Sequence, residues 1–270
     1  MINKIIVSVF SALLLLTFSY SLNAQDRLFT YTYQSSVLGK GQKEIEIWNT
    51  FRTGKSEYFN RIDSKAEFEV GLGINLQTAF YINYTSKSFE EDNSGIKTIQ
   101  SENDFSFSNE WKYKISDPVA NPLGFTLYGE YTVGTKEYGL EGKIILDKQI
   151  KDFTLALNLK GELEYESVIK DNKADWANKN KVDINFAAAY PLSNNFHLTF
   201  EAVNKNVISE KSIQGSALFA GLGLSYFTDG FWVNFTLLPQ ITSFKGETSN
   251  KLNLKDFEKL ETRLIFSYVF

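Results

Sequence analysis

Carboxylates at alternate positions are the residues of this chain whose spacing could support acid–base chemistry. Glu162, Glu164 and Glu166 follow one another at every second position, and side chains so spaced lie about 7 Å apart on one face of a strand. Two carboxyl groups at such a separation serve glycoside hydrolysis. Such rows are also routine lining of β-barrels, and this second interpretation is the one that we adopt.

The single histidine, His197, lacks the companions that nucleophilic catalysis needs. A barrel phospholipase requires a serine, a histidine and an orienting amide near its outer rim, whereas the next residue on the face of His197 is Thr199. An omptin-like protease requires paired aspartates and an Asp–His pair at that rim. His197 follows a predicted tight turn at the opposite rim, so we predict that the protein is not an enzyme.

The remaining motifs do not predict a bound cofactor or metal. Gly71-Leu72-Gly73 and Gly221-Leu222-Gly223 lack the third glycine that opens a helix in nucleotide-binding motifs. The acidic stretch 90–93 is interpreted as a solvated loop, with a divalent ion that bridges lipopolysaccharide as the alternative. The chain has no cysteine, which excludes disulfides, Cys-ligated metals and a lipoprotein signal. A net charge of -4 argues against binding to nucleic acid.

A period of two dominates the elements that carry these residues. In residues 153–166, apolar side chains alternate with charged, amide or small ones, which is typical of a strand with one face in lipid and the other in water. The pattern recurs in about twelve segments, predicted as strands over roughly 42–52, 60–71, 74–86, 99–114, 124–134, 138–147, 153–166, 180–190, 196–206, 215–227, 231–243 and 257–270. No later stretch is long and apolar enough for a membrane helix.

These strands predict an all-β fold: a single up-and-down antiparallel transmembrane β-barrel of about 12 strands over residues 42–270, with both termini periplasmic. Most strands exceed the roughly 9–11 residues that a tilted strand needs to cross a bilayer. The alternative is a soluble barrel or sandwich with its apolar face inward. The strand lengths and the aromatic residues at the ends of the apolar faces argue against that alternative.

The two ends of the chain resemble export and assembly signals. Residues 1–24 combine Lys4 with an apolar run and end in Ala24, as a signal peptide does, whereas a retained anchor would need a longer apolar run. Phe266, Tyr268 and Phe270 share one face of the last strand, and a terminal aromatic strand is the assembly signal that the barrel-assembly machinery recognises. We therefore expect Sec-type export to the Gram-negative outer membrane, in contact with membrane lipid and lipopolysaccharide.

The connections predict the orientation of the barrel. Tight Gly-, Asn- or Asp-bearing turns follow most even-numbered strands, as short periplasmic turns do. Longer polar connections, predicted as outer loops, follow most odd-numbered strands, at 53–59, 87–98, 167–179, 207–214 and 244–256. The short 134–138 connection and the long 115–123 connection are exceptions.

The polar face of the strands should line the lumen. It carries fifteen acidic and ten basic residues, which predicts a slight cation preference if the lumen is open. The alternative is a closed, ion-paired interior, because twelve strands lie between the packed barrels of about eight and the water-filled barrels of about sixteen. The residues that we assign to this lining are Glu67, Glu69, Glu130, Lys160, Glu162, Glu164, Glu201, Glu261 and Arg263.

Residues 25–41 precede the first predicted strand and carry Phe29, Tyr31 and Tyr33 at alternate positions. This aromatic, β-prone stretch is predicted to fold into the lumen as a plug or to cover the periplasmic mouth. A periplasmic tail or an additional strand segment is the alternative.

The first third of the chain resembles an uncharacterised family of Gram-negative outer-membrane β-barrel proteins, porin-like and with a domain of unknown function. The resemblance covers about residues 28–85 and is carried by Phe29-x-Tyr31-x-Tyr33, Gly39-Lys40-Gly41, Glu44-x-Glu46-x-Trp48 and the Gly73–Tyr84 strand. It departs at Leu38-Gly39, where family members often carry Leu-Pro. The resemblance implies a barrel and transport, with no established substrate or catalytic residues.

The sequence therefore predicts a monomeric outer-membrane barrel that acts as a passive, porin-like channel for small polar solutes, without a cofactor. The alternative is a closed-lumen structural or adhesive barrel whose outer loops bind a partner.

Overall fold

The computed structural model describes residues 27–170, 173–209, 212–248 and 250–270. The predicted signal peptide, residues 1–24, lies outside the described residues. No helix in the described ranges is long and apolar enough to cross a membrane.

Twelve antiparallel strands form one closed barrel, in which each strand pairs with its neighbours in sequence and the last pairs with the first. The predicted all-β, up-and-down barrel is thus confirmed. The strands are β1 (Lys43–Thr53), β2 (Phe59–Gly73), β3 (Leu76–Asn93), β4 (Ile96–Ser116), β5 (Gly124–Gly134), β6 (Glu137–Ile150), β7 (Phe153–Lys170), β8 (Lys173–Pro191), β9 (Phe196–Ser209), β10 (Ser212–Thr228), β11 (Phe231–Lys245) and β12 (Leu260–Val269).

Closure of the barrel follows from the register between β1 and β12. Ten consecutive residue pairs run from Glu44 opposite Val269 to Thr53 opposite Leu260. Beyond the ladder, the backbone N–H of Lys43 donates to the carbonyl of Phe270 at 3.1 Å. Both ends of the barrel sequence therefore lie at the same rim, which we call the terminal rim; the opposite rim is called the loop rim.

Apolar and polar side chains alternate along the strands, which gives the barrel an apolar exterior and a polar interior. In β1, Ile45 and Ile47 are 43% and 42% exposed, whereas the intervening Glu44 and Glu46 are 3% and 2% exposed. Since neighbouring side chains on a strand point to opposite faces, the carboxylates point inward and the isoleucines outward. The same arrangement places large apolar side chains on the outer surface of all twelve strands.

Three of the predicted outer loops are wrong, because the strands continue through them. Residues 87–98 belong to the β3–β4 hairpin, which turns at Ser94 and Gly95 with φ values of 58° and 89°. Residues 167–179 and 207–214 lie largely in the β7–β8 and β9–β10 hairpins. Backbone pairing needs no apolar face, so these polar extensions carry no alternation that could reveal them.

The connection between β11 and β12 is the long one at the loop rim, and it covers residues 246–259. Part of this connection turns into the barrel, since Asn253 is fully buried and Phe257 is 6% exposed. At the terminal rim, β2 turns into β3 through Ile74 and Asn75, both with positive φ, as a two-residue hairpin requires.

Residues 27–41, which we call the N-terminal segment, run through the interior of the barrel to its terminal rim. All of these residues are described, and they form no strand. Phe29, Thr30 and Thr32 have no exposed surface, and Tyr31 and Tyr33 retain 7% and 8%. The chain thus begins its described course inside the barrel and leaves through the terminal rim at Gly41, whose N–H donates to the carbonyl of Gly71 at 2.8 Å.

Candidate functional site

Glu201, on β9, anchors the N-terminal segment inside the lumen. Its Oε1 accepts hydrogen bonds from the N–H and the hydroxyl of Thr30, at 2.8 and 2.9 Å. Its Oε2 accepts the N–H groups of Tyr31 and Thr32, both at 2.8 Å. Thr236 donates a fifth hydrogen bond from β11 at 2.9 Å. Glu201 is fully buried, and these five donors compensate its negative charge, because hydrogen bonds to a charged acceptor are strong.

Amide side chains of the wall satisfy further backbone groups of the segment. Asn158 accepts from the N–H of Tyr33 at 2.6 Å and donates to its carbonyl at 2.9 Å, so one side chain reproduces the pairing of a strand. Asn185 donates to the carbonyl of Tyr31 at 3.0 Å, and Gln77 accepts from the N–H of Leu38 at 2.7 Å. The segment is therefore fixed by wall side chains and not by a ladder of backbone hydrogen bonds.

Aromatic rings of the segment lie among the basic side chains of the lumen. The ring of Tyr33 packs edge-on against Tyr128 with centroids 5.5 Å apart. The charged groups of Arg27 and Lys143 lie 4.0 and 4.2 Å from the centre of the Tyr33 ring. Arg263 lies 3.9 Å from the Tyr31 ring and donates to the carbonyl of Thr30 at 2.9 Å. The contacts of Lys143 and Arg263 add attraction between the segment and the wall, whereas that of Arg27 lies within the segment.

Glycine permits the segment to pass the wall at the terminal rim. A Cβ atom on Gly71 would lie 2.0 Å from the carbonyl oxygen of Gly39 and 2.6 Å from that of Leu38. Both obstructing atoms belong to the backbone, so they cannot move aside as the end of a side chain would. The N-terminal segment can thus take this path only with glycine at position 71.

The connection 246–259 occupies the lumen from the loop rim. Phe257 packs against Phe219 with ring centroids 6.3 Å apart, and both belong to a buried cluster that contains Tyr31. Gln240 holds the connection through hydrogen bonds with Asn253 at 2.7 Å and 3.3 Å. The N-terminal segment and the 246–259 connection therefore meet inside the barrel on the side of β9–β12.

The inner wall formed by β6–β8 carries a chain of half-buried ion pairs. Lys160 lies 3.3 Å from Glu141, 3.0 Å from Glu162 and 3.1 Å from Asp183. Lys181 lies 3.0 Å from Glu162 and also pairs with Glu164. Five of the eight oxygens of these four carboxylates contact the two ammonium groups, so this wall is charged rather than apolar. This surface is where a polar solute or an ion would find compensating charges.

A second ionic group lies near β1 and β12. Glu261 is fully buried and pairs with Lys205 and with Arg52, the latter at 3.3 Å. Arg52 also reaches Asp63 at 2.9 Å. Each cation therefore faces a carboxylate, as buried charges require.

The structure places every residue assigned to the lumen lining on the inner side of the wall and divides them into separate groups. Glu201 and Arg263 contact the N-terminal segment, Lys160, Glu162 and Glu164 form the β6–β8 network, and Glu261 lies in the second ionic group. Glu130 accepts from the hydroxyl of Tyr128. Glu67 and Glu69 lie beside further buried carboxylates of β1 and β4.

The aromatic residues assigned to the assembly signal and the single histidine lie apart from these groups. Phe266 and Phe270 face outward with 47% and 45% of their surface exposed, and Tyr268 stacks on Phe270. His197 lies beside the β8–β9 turn, with its ring edge-on to Phe227 at 5.5 Å. Sequence reasoning missed the amides Gln77, Asn158 and Asn185; a polar residue at an inward position was their only signal.

Comparison with solved structures shows the fold. The NanC porin is 12% identical, and the match covers 83% of this chain and 98% of that one with a TM-score of 0.50. The translocator domain of the autotransporter NalP from Neisseria meningitidis is 12% identical over 86% of this chain and 90% of that one, with a TM-score of 0.55. The β domain of the Bordetella autotransporter BrkA is 10% identical over 86% and 100%, with a TM-score of 0.52.

No curated protein matches the sequence significantly. A family model does match, over residues 21–270, and it is described as a family of unknown function. This match extends well beyond the opening motifs and includes all twelve strands. The chain therefore belongs to the family of unknown function DUF6662.

Proposed function

We propose that this protein is an outer-membrane barrel that acts as a passive, porin-like channel for small polar solutes, and that its N-terminal segment closes the lumen until it is displaced. The apolar exterior of the twelve strands supports a place in a membrane. The likeness to the NanC porin and to autotransporter translocators supports the outer membrane of a Gram-negative cell. In the proposed orientation of the barrel in the membrane, both termini lie in the periplasm.

The observation that carries the proposal is the way in which the segment is held. Its backbone is bound by side chains such as Glu201 and Asn158, whereas the barrel wall is held by continuous backbone ladders. Release of the segment therefore breaks a limited set of contacts and leaves every ladder intact. A closing element that can leave without unfolding the wall is what a gated channel needs.

The charged wall of β6–β8 supports polar solutes and ions as the cargo. The four carboxylates of this wall face three ammonium groups, those of Lys143, Lys160 and Lys181. An excess of carboxylates along the wall favours cations over anions. We infer a slight cation preference for the opened lumen, and we assign no enzymatic role.

Planar-bilayer conductance under a salt gradient tests the proposal. The refolded protein without residues 1–24 is compared with a variant that also lacks 27–38. We expect long silent periods in the first protein and discrete steps with a cation-leaning reversal potential in the second. Replacement of Glu162 and Glu164 by lysine in the deletion variant should shift that potential toward anions. A deletion variant that folds but never conducts would overturn the channel.

The second candidate is a closed barrel whose loop rim binds a partner. The inward course of the 246–259 connection favours it, because Asn253 and Phe257 occupy the lumen from the side opposite to the N-terminal segment. In that case the deletion of 27–38 would leave the barrel silent, and shortening the β3–β4 and β7–β8 hairpins would abolish binding at the cell surface. The same conductance experiment therefore separates the two candidates.

A further inference from the structure

Five carboxylates from three strands converge on one side of the lumen. Glu44 and Glu46 lie on β1, Glu67 and Glu69 on β2, and Glu110 on β4, and each of them retains at most 4% of its surface. The register places Glu44 directly opposite Glu69 and Glu46 directly opposite Glu67. Like charges at directly opposed positions of a sheet repel each other.

The strand between β2 and β4 contributes a small side chain at this level. Ala79 on β3 is paired with Glu69 on one side and with Glu110 on the other. A larger side chain there would stand between these carboxylates, whereas alanine lets them approach. The five residues, which we call the acidic cluster, are thus brought together by the register of four adjacent strands.

The positive charges near the acidic cluster are too few to compensate it. Lys112 lies 2.9 Å from Glu110 and 3.6 Å from Glu69, and Arg27 lies 3.9 Å from Glu46. Five carboxylates therefore share two cationic partners among the described residues. Uncompensated charge of this kind is strongly unfavourable in a buried site.

Neutral donors stabilise four of the carboxylates, whereas no such donor in the described part of the chain reaches the fifth, Glu67. Trp232 donates to Glu44 at 2.8 Å and Trp48 to Glu46 at 2.6 Å, while Gln77 and Tyr81 donate to Glu69 and Glu110. Both carboxylate oxygens of Glu67 are buried and accept no hydrogen bond from the residues that the structure describes. Its neighbour on the inner face of β2, Lys65, lies over the rings of Trp48 and Tyr81 instead.

The spacing of the oxygens fits a bound ion. One oxygen from each of Glu67, Glu69 and Glu110 lies within 4.8 Å of the others, and so does one from each of Glu44, Glu46 and Glu69. Opposite ligand oxygens of Ca²⁺ lie about 4.6–5.2 Å apart and those of Mg²⁺ about 4.0–4.2 Å apart, so separations within 4.8 Å allow either ion. Mg²⁺ usually keeps several waters, for which a buried site has little room. A cavity of about 20 Å³ adjoins the second group, which is room for one water-sized particle.

We propose that the acidic cluster binds a divalent cation, Ca²⁺, between Glu67, Glu69 and the neighbouring carboxylates. Carboxylate oxygens are the ligands that this hard cation prefers. Gln34 and Ser36 of the N-terminal segment line the same cavity as Glu44, Glu46 and Glu69, so the acidic cluster lies where the segment meets the wall. The site does not depend on whether the lumen conducts.

Terbium luminescence tests the site, because Tb³⁺ replaces Ca²⁺ at carboxylate sites and is excited by nearby tryptophan. Trp48 and Trp232 donate directly to cluster carboxylates, whereas Trp111 and Trp176 are on the exterior. The protein without residues 1–24 is refolded in detergent, stripped with EDTA and titrated with Tb³⁺ at neutral pH. We expect saturable emission with one ion per chain, displaced by Ca²⁺ at lower concentration than by Mg²⁺.

The isosteric variant Glu67→Gln should weaken Tb³⁺ and Ca²⁺ binding at least tenfold. Glu162→Gln, which removes a charge from the β6–β8 wall, is the matched control and should bind as the parent does. Correct folding of each variant is checked by the gel mobility of the unheated sample. The proposal is overturned if the parent shows no saturable binding, which would mean that protons compensate the cluster. Equal losses in both variants, or loss on Asp92→Asn in the exposed β3–β4 hairpin, would also overturn it.

Discussion

Replacement of Glu201 by glutamine should release the N-terminal segment while leaving the barrel wall intact. The two oxygens of Glu201 divide the donors of the segment: Oε1 accepts from Thr30, and Oε2 accepts from Tyr31 and Thr32. Glutamine keeps one oxygen, and its NH₂ group then faces donors on the other side. The variant therefore loses at least two hydrogen bonds to a charged acceptor.

The size of the effect follows from these contacts. Each hydrogen bond to a charged group contributes about 1.5–3 kcal/mol, so the docking free energy should fall by about 3–6 kcal/mol. Because about 1.4 kcal/mol corresponds to a factor of ten, the released population should rise by roughly 10² to 10⁴. Amides that exchange through release of the segment lose the same factor of protection.

Hydrogen–deuterium exchange with mass spectrometry measures this loss in peptides that cover residues 28–34. Glu162→Gln is the matched control, because Glu162 pairs with Lys160 and Lys181 and lacks hydrogen bonds to the segment among the described contacts. In this control variant the N-terminal segment should stay protected from exchange, as it is in the parent. Protection that changes less than about tenfold in a folded Glu201→Gln variant, or changes equally in both variants, would refute the argument that Glu201 holds the segment.

Three further results are expected. Gly71→Ala should expose residues 38–42 to exchange, because its Cβ meets the Gly39 carbonyl, whereas Gly161→Ala, with open space around the new Cβ, should not; equal protection in both would contradict this. The unheated protein should migrate faster in SDS gels than the boiled one. Hydrogen bonds from Val119 and Ala120 lower the pKa of Asp117 in the β4–β5 turn, so this turn should lose protection as the pH falls through that lowered value, and Asp117→Asn should remove the pH dependence.

The sequence determined the wall of the barrel well because each strand carries its own local pattern. The interval 124–134 was predicted from alternation alone and coincides with β5. The ends of β3, β4, β7 and β8 escaped prediction, because their polar extensions are held by backbone pairing that leaves no trace in side-chain type. The number of strands is thus predictable from short stretches of sequence, whereas the length by which the hairpins continue beyond the alternating segments is not.

The partners inside the lumen could not be predicted for a different reason. Nothing around Glu201 in the sequence distinguishes it from Glu162, since both are acidic residues at inward positions. Glu201 meets Thr30 and Glu162 meets Lys181 because the closed barrel fixes which parts of the wall face each other and at what depth. Such contacts depend on closure and on the path of residues 27–41, and neither is a property of a short stretch of sequence.

The position of the N-terminal segment inside the barrel affects the order in which the protein folds. Its partners lie far along the chain: Glu201 is 171 residues from Thr30, and Ser225 is 197 residues from Leu28. Contacts of such high sequence separation form late, because a long loop must close before they are gained. The part of the barrel that is synthesised first is therefore expected to reach its native position last, after the strands of the second half have assembled around it.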